Sequence, residues 1–396
     1  MRRMGLILAA LAVSACASRR TDDRDVTPVP TLESRLAKQL HIVLDRAIAD
    51  SAFPGAYAVV GNAHGILAQH GVGRLDALDP TVPDSTTLWD LASLTKVVVT
   101  TTLLMNLVDQ GRVVLDSPAV RYLPTWKAPG AERVTVRDLL AHRSGLPAWR
   151  PLWKETGDAA SARLTVLESS PVRAIGSVYE YSDIGFIILG LLVEHVAGDS
   201  LHHVAERVLF GPLGMIETSY RPTRNSRIAQ TELDAWRGRK LRGEVHDENA
   251  YRLDGVSGHA GLFSTGADLA RFARTLLRRG ELDGQRFLPD SIVRQFTALQ
   301  DSSVSHRALG WEKPNQTNSG GHFLSRSAFG HTGFTGTSIW IDPEQDLFMV
   351  LLTNRVNPSR ENRRISGVRI EMADSVVSAF RATSSARFLE GGAKRH

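Results

Sequence analysis

Helices at both chain ends, strand-like segments beside each of them, and a long helix-rich stretch between predict an α/β (α+β) protein. One antiparallel sheet would be flanked by the terminal helices, with a helix-rich lobe inserted into it. The N-terminal helix is read from Leu36, Leu40, Val43, Leu44, Ala47 and Ile48, which recur at helical spacing and stop before Pro54. Two β-type runs follow, Ala56 to Val60 and Ile66 to Gly71, with Gly61 to Gly65 as their hairpin turn. The run Val97 to Val108 is apolar over a helical length and ends at Gln110-Gly111, so it predicts a buried helix. From about Gly111 to Asp254, Pro and Gly breakers alternate with helical stretches such as Val136 to His142 and Ile184 to Val196. Thr265 and Asp268 predict a capping box for a helix through Leu269, Phe272 and Leu276. Strand character returns at Gly336 to Ile341 and Leu347 to Leu352, around the turn Asp342 to Asp346. A closing helix places Ile365, Val368, Met372, Val376 and Ala379 on one face. The folded body is expected over 32–386, with a sheet lobe of about 32–110 and 255–386, a helical lobe of about 111–254, and a tail from 387 to 396.

With 396 residues, 42% hydrophobic and 22% charged, the composition is that of a globular protein and excludes disordered and fibrous classes. The net charge of +5 is not a nucleic-acid footprint, because the basic residues are scattered and much of the excess sits at Arg2, Arg3, Arg19, Arg20, Lys394 and Arg395. Mild affinity for an anionic envelope surface is the expected consequence. Arg2 and Arg3 precede the apolar run Met4 to Ala12, and small residues lead to Cys16, which reads as a secretory signal over 1–15. Val13-Ser14-Ala15-Cys16 resembles a bacterial lipobox, so Cys16 is expected to be lipidated. It is the only cysteine and has no disulfide partner. Residues 16–31, with Pro28 and Pro30, suit an extended tether. The expected location is the bacterial cell envelope, lipid-anchored on the periplasmic face of a membrane. No nucleic-acid partner is expected, and the oligomeric state is left open.

Ser93-Leu94-Thr95-Lys96 is an S-x-x-K tetrad at the start of the apolar helix, with the lysine one turn beyond the serine on the same face. A serine hydroxyl is a poor nucleophile until a neighbouring base takes its proton. A lysine buried among apolar residues could have a lowered pKa and contribute to that base. A helix N-terminus adds partial positive charge and free N–H groups. Further along stand Tyr181-Ser182-Asp183, before another apolar helix, and His331-Thr332-Gly333, before the penultimate strand.

At these residues the sequence resembles class C serine β-lactamases, low-molecular-weight D-Ala-D-Ala carboxypeptidases and related esterases. That family carries S-x-x-K, then Y-x-N, then K-T-G or H-T-G, in this order. The resemblance runs from about Leu32 to Phe380 and includes Leu88 to Ala92, Leu139 to Leu146, Gly261 to Thr265 and Leu309-Gly310-Trp311. It implies a β-lactamase/transpeptidase-like fold and a serine hydrolase. Ser93 would be acylated, and Lys96 with Tyr181 would move protons. Thr332 and Gly333 would line the substrate edge of a strand, and the N–H groups of Ser93 and Phe334 would form the oxyanion hole. Arg360, in Asn357-Pro358-Ser359-Arg360, would anchor a substrate carboxylate. The implied substrates are D-Ala-D-Ala peptides or other peptidoglycan-derived molecules, β-lactams or small esters; a penicillin- or peptidoglycan-binding protein with little turnover is the alternative. No cofactor is implied.

Two positions depart from the family pattern. Asp183 replaces the usual asparagine, so when ionised it accepts hydrogen bonds but cannot donate the amide N–H that meets an acylamino carbonyl. It could also hold Lys96 cationic and move the base role to Tyr181. His331 replaces lysine, and an unperturbed histidine loses its charge near pH 6.5, so carboxylate binding is expected to depend on pH. Gly255 to His259 lacks the second glycine of a nucleophile elbow and reads as a tight loop. His246-Asp247-Glu248 and His259 lack H-E-x-x-H spacing, and no metal is expected. His142 reads as structural, and Trp89 and Trp311 as core or cleft wall.

Overall fold

The spacing at the N-terminus becomes helix α1, Leu32–Ala49, which buries Leu36, Leu40, Val43, Leu44 and Ala47. The computed structural model describes residues 30–223, 227–315 and 317–392. The signal segment, Cys16 and nearly all of the tether lie outside the described residues. Thr31 caps α1 by accepting the Ser34 N–H at 3.2 Å. The hairpin forms between β1 (Gly55–Asn62) and β2 (Gly65–Gly73), with a turn narrower than the five residues expected. Helices α2 (Thr102–Asp109), α3 (Asp183–Ala197) and α4 (Gly266–Leu277) carry the middle of the chain. Strands β3 (Phe329–Thr332), β4 (Ser338–Asp342) and β5 (Leu347–Thr353) precede the last helix, α5 (Ile365–Gly392).

The five-stranded sheet runs β3-β4-β5-β1-β2. The late strand β5 pairs antiparallel with the early strand β1, with Ala58 opposite Leu351, so the sheet is closed only when both chain ends are in place. Alternate residues of β1 enter different cores. Ala56, Ala58 and Val60 pack with Leu36, Leu40 and Val43 of α1 and Val368, Met372 and Val376 of α5. Tyr57 and Val59 join the larger core with Leu104 of α2, Phe186 of α3 and Phe272 of α4. A strand covered on both faces reads as an unbroken apolar run, as β1 does.

The chain departs from its sequence reading at several places. Helix α5 continues to Gly392, so no separate tail begins at 387; residues 382–390 contain no proline or glycine to stop it. Thr265 does accept the Asp268 N–H at 3.2 Å, but the Asp268 carboxylate turns to the Thr218 hydroxyl (2.8 Å) and the Glu217 N–H (2.9 Å), leaving half a capping box. A small sheet of Trp89–Asp90, Leu262–Ser264 and Ser219–Tyr220 has strands too short to leave a periodic signal. It ties the helical lobe to the residues just before Ser93.

Gly258 is where helix α3 meets the helix after Ser93. Its carbonyl accepts the Thr100 hydroxyl at 2.7 Å. A Cβ there would meet the Phe186 carbonyl oxygen and come within 2.9 Å of Gly190. Backbone on both sides cannot yield as a flexible side chain would, so Gly258→Ala should destabilise the protein by about 1–3 kcal/mol. Urea unfolding should show a lower midpoint at unchanged slope. An unchanged midpoint would mean that the α3 junction is loose.

Candidate active site

The nucleophile is presented by a strained turn. Leu91 donates its N–H to the Leu262 carbonyl at 2.9 Å, which extends the small sheet to the edge of the site. Ala92 then adopts φ 47°, a left-handed conformation unusual for a residue with a Cβ. The Asp90 carboxylate stabilises the turn by accepting the Ala92 N–H at 2.8 Å and the His246 N–H at 2.6 Å. Ser93 emerges at the start of the helix. Lys96–Thr101 winds as a π-helix before α2 begins. The apolar run expected as a plain helix therefore carries a wider turn at its functional end, a feature that hydrophobic spacing does not encode.

Lys96 is the centre of the site. Its ammonium lies 2.9 Å from Ser93 Oγ, 2.8 Å from Asp183 Oδ1 and 3.1 Å from the His259 carbonyl oxygen. None of its side chain is exposed, and the Asp183 side chain is 20% exposed. Burial pushes the lysine pKa down, but the Asp183 carboxylate and Tyr181 push it up further, and the net direction is upward. Lys96 therefore stays an ammonium: of the two states the sequence left open, the one in which Asp183 holds the lysine cationic prevails over the lowering by burial. Asp183 opens α3: Ser182 caps the helix by accepting the Gly185 N–H at 3.0 Å, and the Asp183 N–H binds the Ala148 carbonyl at 2.8 Å.

Tyr181 is held flat between other groups. The His142 ring lies 4.4 Å away at an interplanar angle of 31°, and Lys96 Nζ and the Arg307 guanidinium stand 4.9 and 5.4 Å from the phenol ring centre. His142 Nδ1 accepts the Ser182 N–H at 3.0 Å. Burial, with Arg307 and Lys96 nearby, pushes the His142 pKa well below its ordinary value, so this histidine is a neutral support. Arg307, 8% exposed and paired with Glu312 at 2.6 Å, carried no sequence signal.

The strand edge differs from expectation at His331. It is 2% exposed, and its Nδ1 donates to the Thr332 carbonyl at 2.8 Å. Burial first, then Arg307 and Lys96, push its pKa well below the ordinary value. His331 is thus neutral across ordinary pH and cannot supply the pH-dependent positive charge expected of it. Thr332 ends β3 opposite Ser338. At Gly333 a Cβ would meet the Thr337 hydroxyl and the Leu91 carbonyl oxygen, so the turn after β3 sits directly on the nucleophile loop. Phe334 follows, half exposed, its ring stacked on His246 at 5.7 Å.

Arg360 is also reassigned. Its guanidinium reaches Glu232 at 2.6 Å and Glu248 at 2.7 Å, and Glu232 also meets His246 Nε2 at 2.9 Å. A cation held by two carboxylates is a tie between loops and is not open to a substrate carboxylate. Asp183, Asp247 and His259 bring their side-chain N and O atoms within 4.8 Å of one another, but Lys96 Nζ, 2.8 Å from Asp183, already supplies the positive charge at this cluster. Trp89 and Trp311 are core, as expected. Gly255 to His259 forms the expected loop, with Ser257 buried against His259 at 2.8 Å.

The family model described as Beta-lactamase matches residues 40–371. The chain belongs to the β-lactamase family. It is 32% identical over 352 residues to an N-acetylmuramyl-L-alanine amidase of Bacillus subtilis (strain 168), covering 79% of each chain. It is 30% identical over 370 residues to a Salmonella agona (strain SL483) protein named provisionally as a D-alanyl-D-alanine carboxypeptidase, covering 85% of this chain and 81% of that one. Among solved structures, a class C β-lactamase superposes with TM-score 0.70 at 18% identity, covering 88% of this chain and 98% of the other. The hydrolase EstCE1 superposes with TM-score 0.71 at 20% identity, covering 87% and 99%. The fold is β-lactamase/transpeptidase-like, and this family member is a serine hydrolase.

The pairing of Lys96 with Asp183 gives a pH test. Asp183 raises the Lys96 pKa, so Asp183→Asn should lower it and move the high-pH limb of kcat/KM to lower pH. The new amide also supplies a donor to an acylamino carbonyl, and penicillin acylation should rise roughly tenfold to a hundredfold. Stopped-flow acylation across pH checks both. An unmoved limb would remove Lys96 from the rate-controlling ionisation, and slower penicillin acylation would show that Asp183 does not limit that substrate.

Proposed function

We propose that the protein is a cell-envelope serine amidase that opens an amide bond in peptidoglycan-derived peptides through an acyl-enzyme on Ser93, at a position with no free carboxylate beside the cleaved bond. The observation that carries the reaction is the contact of Ser93 Oγ with Lys96 Nζ at 2.9 Å, with Lys96 fixed as a cation by Asp183 at 2.8 Å. With Lys96 already protonated, the Tyr181 hydroxyl beside it is the group left to relay the proton: its oxygen takes the serine proton while its own proton moves toward the leaving nitrogen. Ser93 Oγ attacks the amide carbonyl, and the N–H groups of Ser93 and Phe334 receive the developing oxyanion. The proton passes to the leaving nitrogen as the C–N bond breaks. Water repeats the sequence on the ester and returns the proton to Ser93.

The substrate side rests on charge. A C-terminal D-Ala-D-Ala group presents a carboxylate next to the cleaved bond and needs a cation to receive it. His331 is neutral, and Arg360 is held by Glu232 and Glu248. Arg355 is bound to the carbonyls of Phe334, Arg360 and Asn362. Asp183 offers an acceptor, which suits a substrate amide N–H. The amide between a muramyl lactyl group and L-alanine meets these conditions, and the Bacillus subtilis relative is named for that bond.

With N-acetylmuramyl pentapeptide as substrate, mass spectrometry should find the intact peptide released, and Ser93→Ala should release nothing. Loss of only the terminal D-alanine would overturn the amidase reading in favour of a carboxypeptidase. A persistent acyl-enzyme without product would support a binding protein with little turnover.

The envelope location is supported by the charged and apolar segment before Cys16. In a bacterial host fed labelled palmitate, the protein should take up label and partition into detergent, and Cys16→Ser should abolish the labelling. An unlabelled protein with a mature terminus elsewhere would refute the lipid anchor.

A further inference from the structure

The segment that supplies the third contact to Lys96 is itself organised around a histidine. The backbone at Gly258 and His259 lies along the nucleophile helix, receiving Thr100 at 2.7 Å and Lys96 at 3.1 Å through successive carbonyls. Beside this backbone, the His259 ring bridges two groups. Its Nε2 lies 3.0 Å from Asp247 Oδ1 and its Nδ1 lies 2.8 Å from Ser257 Oγ. The His259 side chain is 1% exposed and that of Asp247 27%. Asp247 Oδ1 also accepts the Ala250 N–H at 2.7 Å and caps the short helix Glu248–Arg252.

We propose that Asp247 and His259 are positioning residues for Lys96. His259, locked between Asp247 and Ser257, aims its carbonyl at the ammonium, and Asp247 is the second carboxylate, with Asp183, whose field keeps that ammonium charged. The proposal rests on the reading that Lys96 serves Ser93. Neither residue touches the reacting atoms. Ser257 and His259 resemble part of a nucleophilic triad, but Ser257 is 4% exposed and its hydroxyl is taken up by the ring, so the constellation acts through Lys96.

Electrostatics agrees with this geometry. Burial pushes the Asp247 carboxyl up, but His259, the Ala250 N–H and Lys96 outweigh it and hold the carboxyl well below the usual range. Asp247 is therefore an anion wherever the enzyme works. The other charged or titratable groups facing Lys96 are Asp183 and Tyr181 at the start of α3, His142 on its loop and His331 on β3. Arg307 faces Tyr181, and Asp90 faces Asp247.

A fluorophosphonate probe reads Ser93 reactivity without requiring the natural substrate. Its labelling rate should be followed against pH in the full chain, in Asp247→Asn and in Asp247→Ser. Asparagine and serine both cap helices, so the fold around Ala250 has a replacement cap. Removing one negative charge makes Lys96 lose its proton more readily, and the high-pH limb should move down by about one pH unit in both variants. Labelling above that limb should then be roughly tenfold slower. A limb at its original pH in either variant that melts with a cooperative transition would overturn the proposal and leave Asp247 as a helix cap only. Failure of the unsubstituted protein to be labelled would instead refute the role of Ser93.

Discussion

A lysine whose side chain is entirely buried stays charged only if the protein replaces the water it has lost, and the Lys96–Asp183 contact at 2.8 Å is the largest part of that replacement. Moving an unpaired ammonium into a protein interior costs several kcal/mol, more than most single interactions contribute. The neighbouring structure can be understood as what this pair requires. Ser182 caps α3 so that Asp183 stands at the helix start facing the lysine. The His259 carbonyl completes the ammonium's acceptors, and Ser93 Oγ occupies the remaining direction. Catalytic geometry and lysine solvation are therefore one arrangement, since a shift of any acceptor would expose the others to an unbalanced charge.

The fold holds these groups together although they come from distant parts of the chain. The sheet joins β1 to β5, and the small second sheet joins Trp89–Asp90 to Leu262–Ser264. The carbonyls of Asp90 and Leu91, just before Ser93, accept the hydroxyls of Thr335 and Thr337 at 2.7 and 3.0 Å. These contacts couple the β3–β4 turn to the nucleophile loop across more than half of the sequence. The strain at Ala92 is held from three sides, by Asp90, by the small sheet and by this turn, consistent with the rule that unusual backbone persists where surroundings over-determine it.

The legible part of the sequence was whatever has a period or a fixed offset. The face of α1, the face of α5 and the hairpin repeat a pattern over several turns or residues, and the structure reproduces them. Ser93, Lys96, Tyr181 and Asp183 were legible because the offsets inside each motif are local, and the structure brings them to one point. Pairings between distant loops were illegible. Nothing near Arg360 announces Glu232 or Glu248, which lie more than a hundred residues earlier, and so a cation already taken looked available. His331 failed for a related reason: a sequence shows the residue type, whereas its pKa follows from burial and from Arg307 and Lys96, both remote in the chain. His246-Asp247-Glu248 was set aside as a metal motif on its spacing, but what its members do was illegible, since each has a different and distant partner: Glu232, His259 and Arg360.

The two departures from the family pattern act in the same direction. Asparagine to Asp183 adds a negative charge at the start of α3, and lysine to His331 removes a positive one at the strand edge, because this histidine is held neutral. Together they shift the charge balance while preserving Ser93, Lys96 and Tyr181. The added charge at Asp183 is directed at Lys96, where it keeps the ammonium charged beside Ser93 and Tyr181, and the missing charge at 331 leaves the substrate side without a free cation at that position. The charge that holds the Lys96 proton and the charge at the strand edge are thereby set by different residues, Asp183 and His331, while the acylation machinery itself is unchanged.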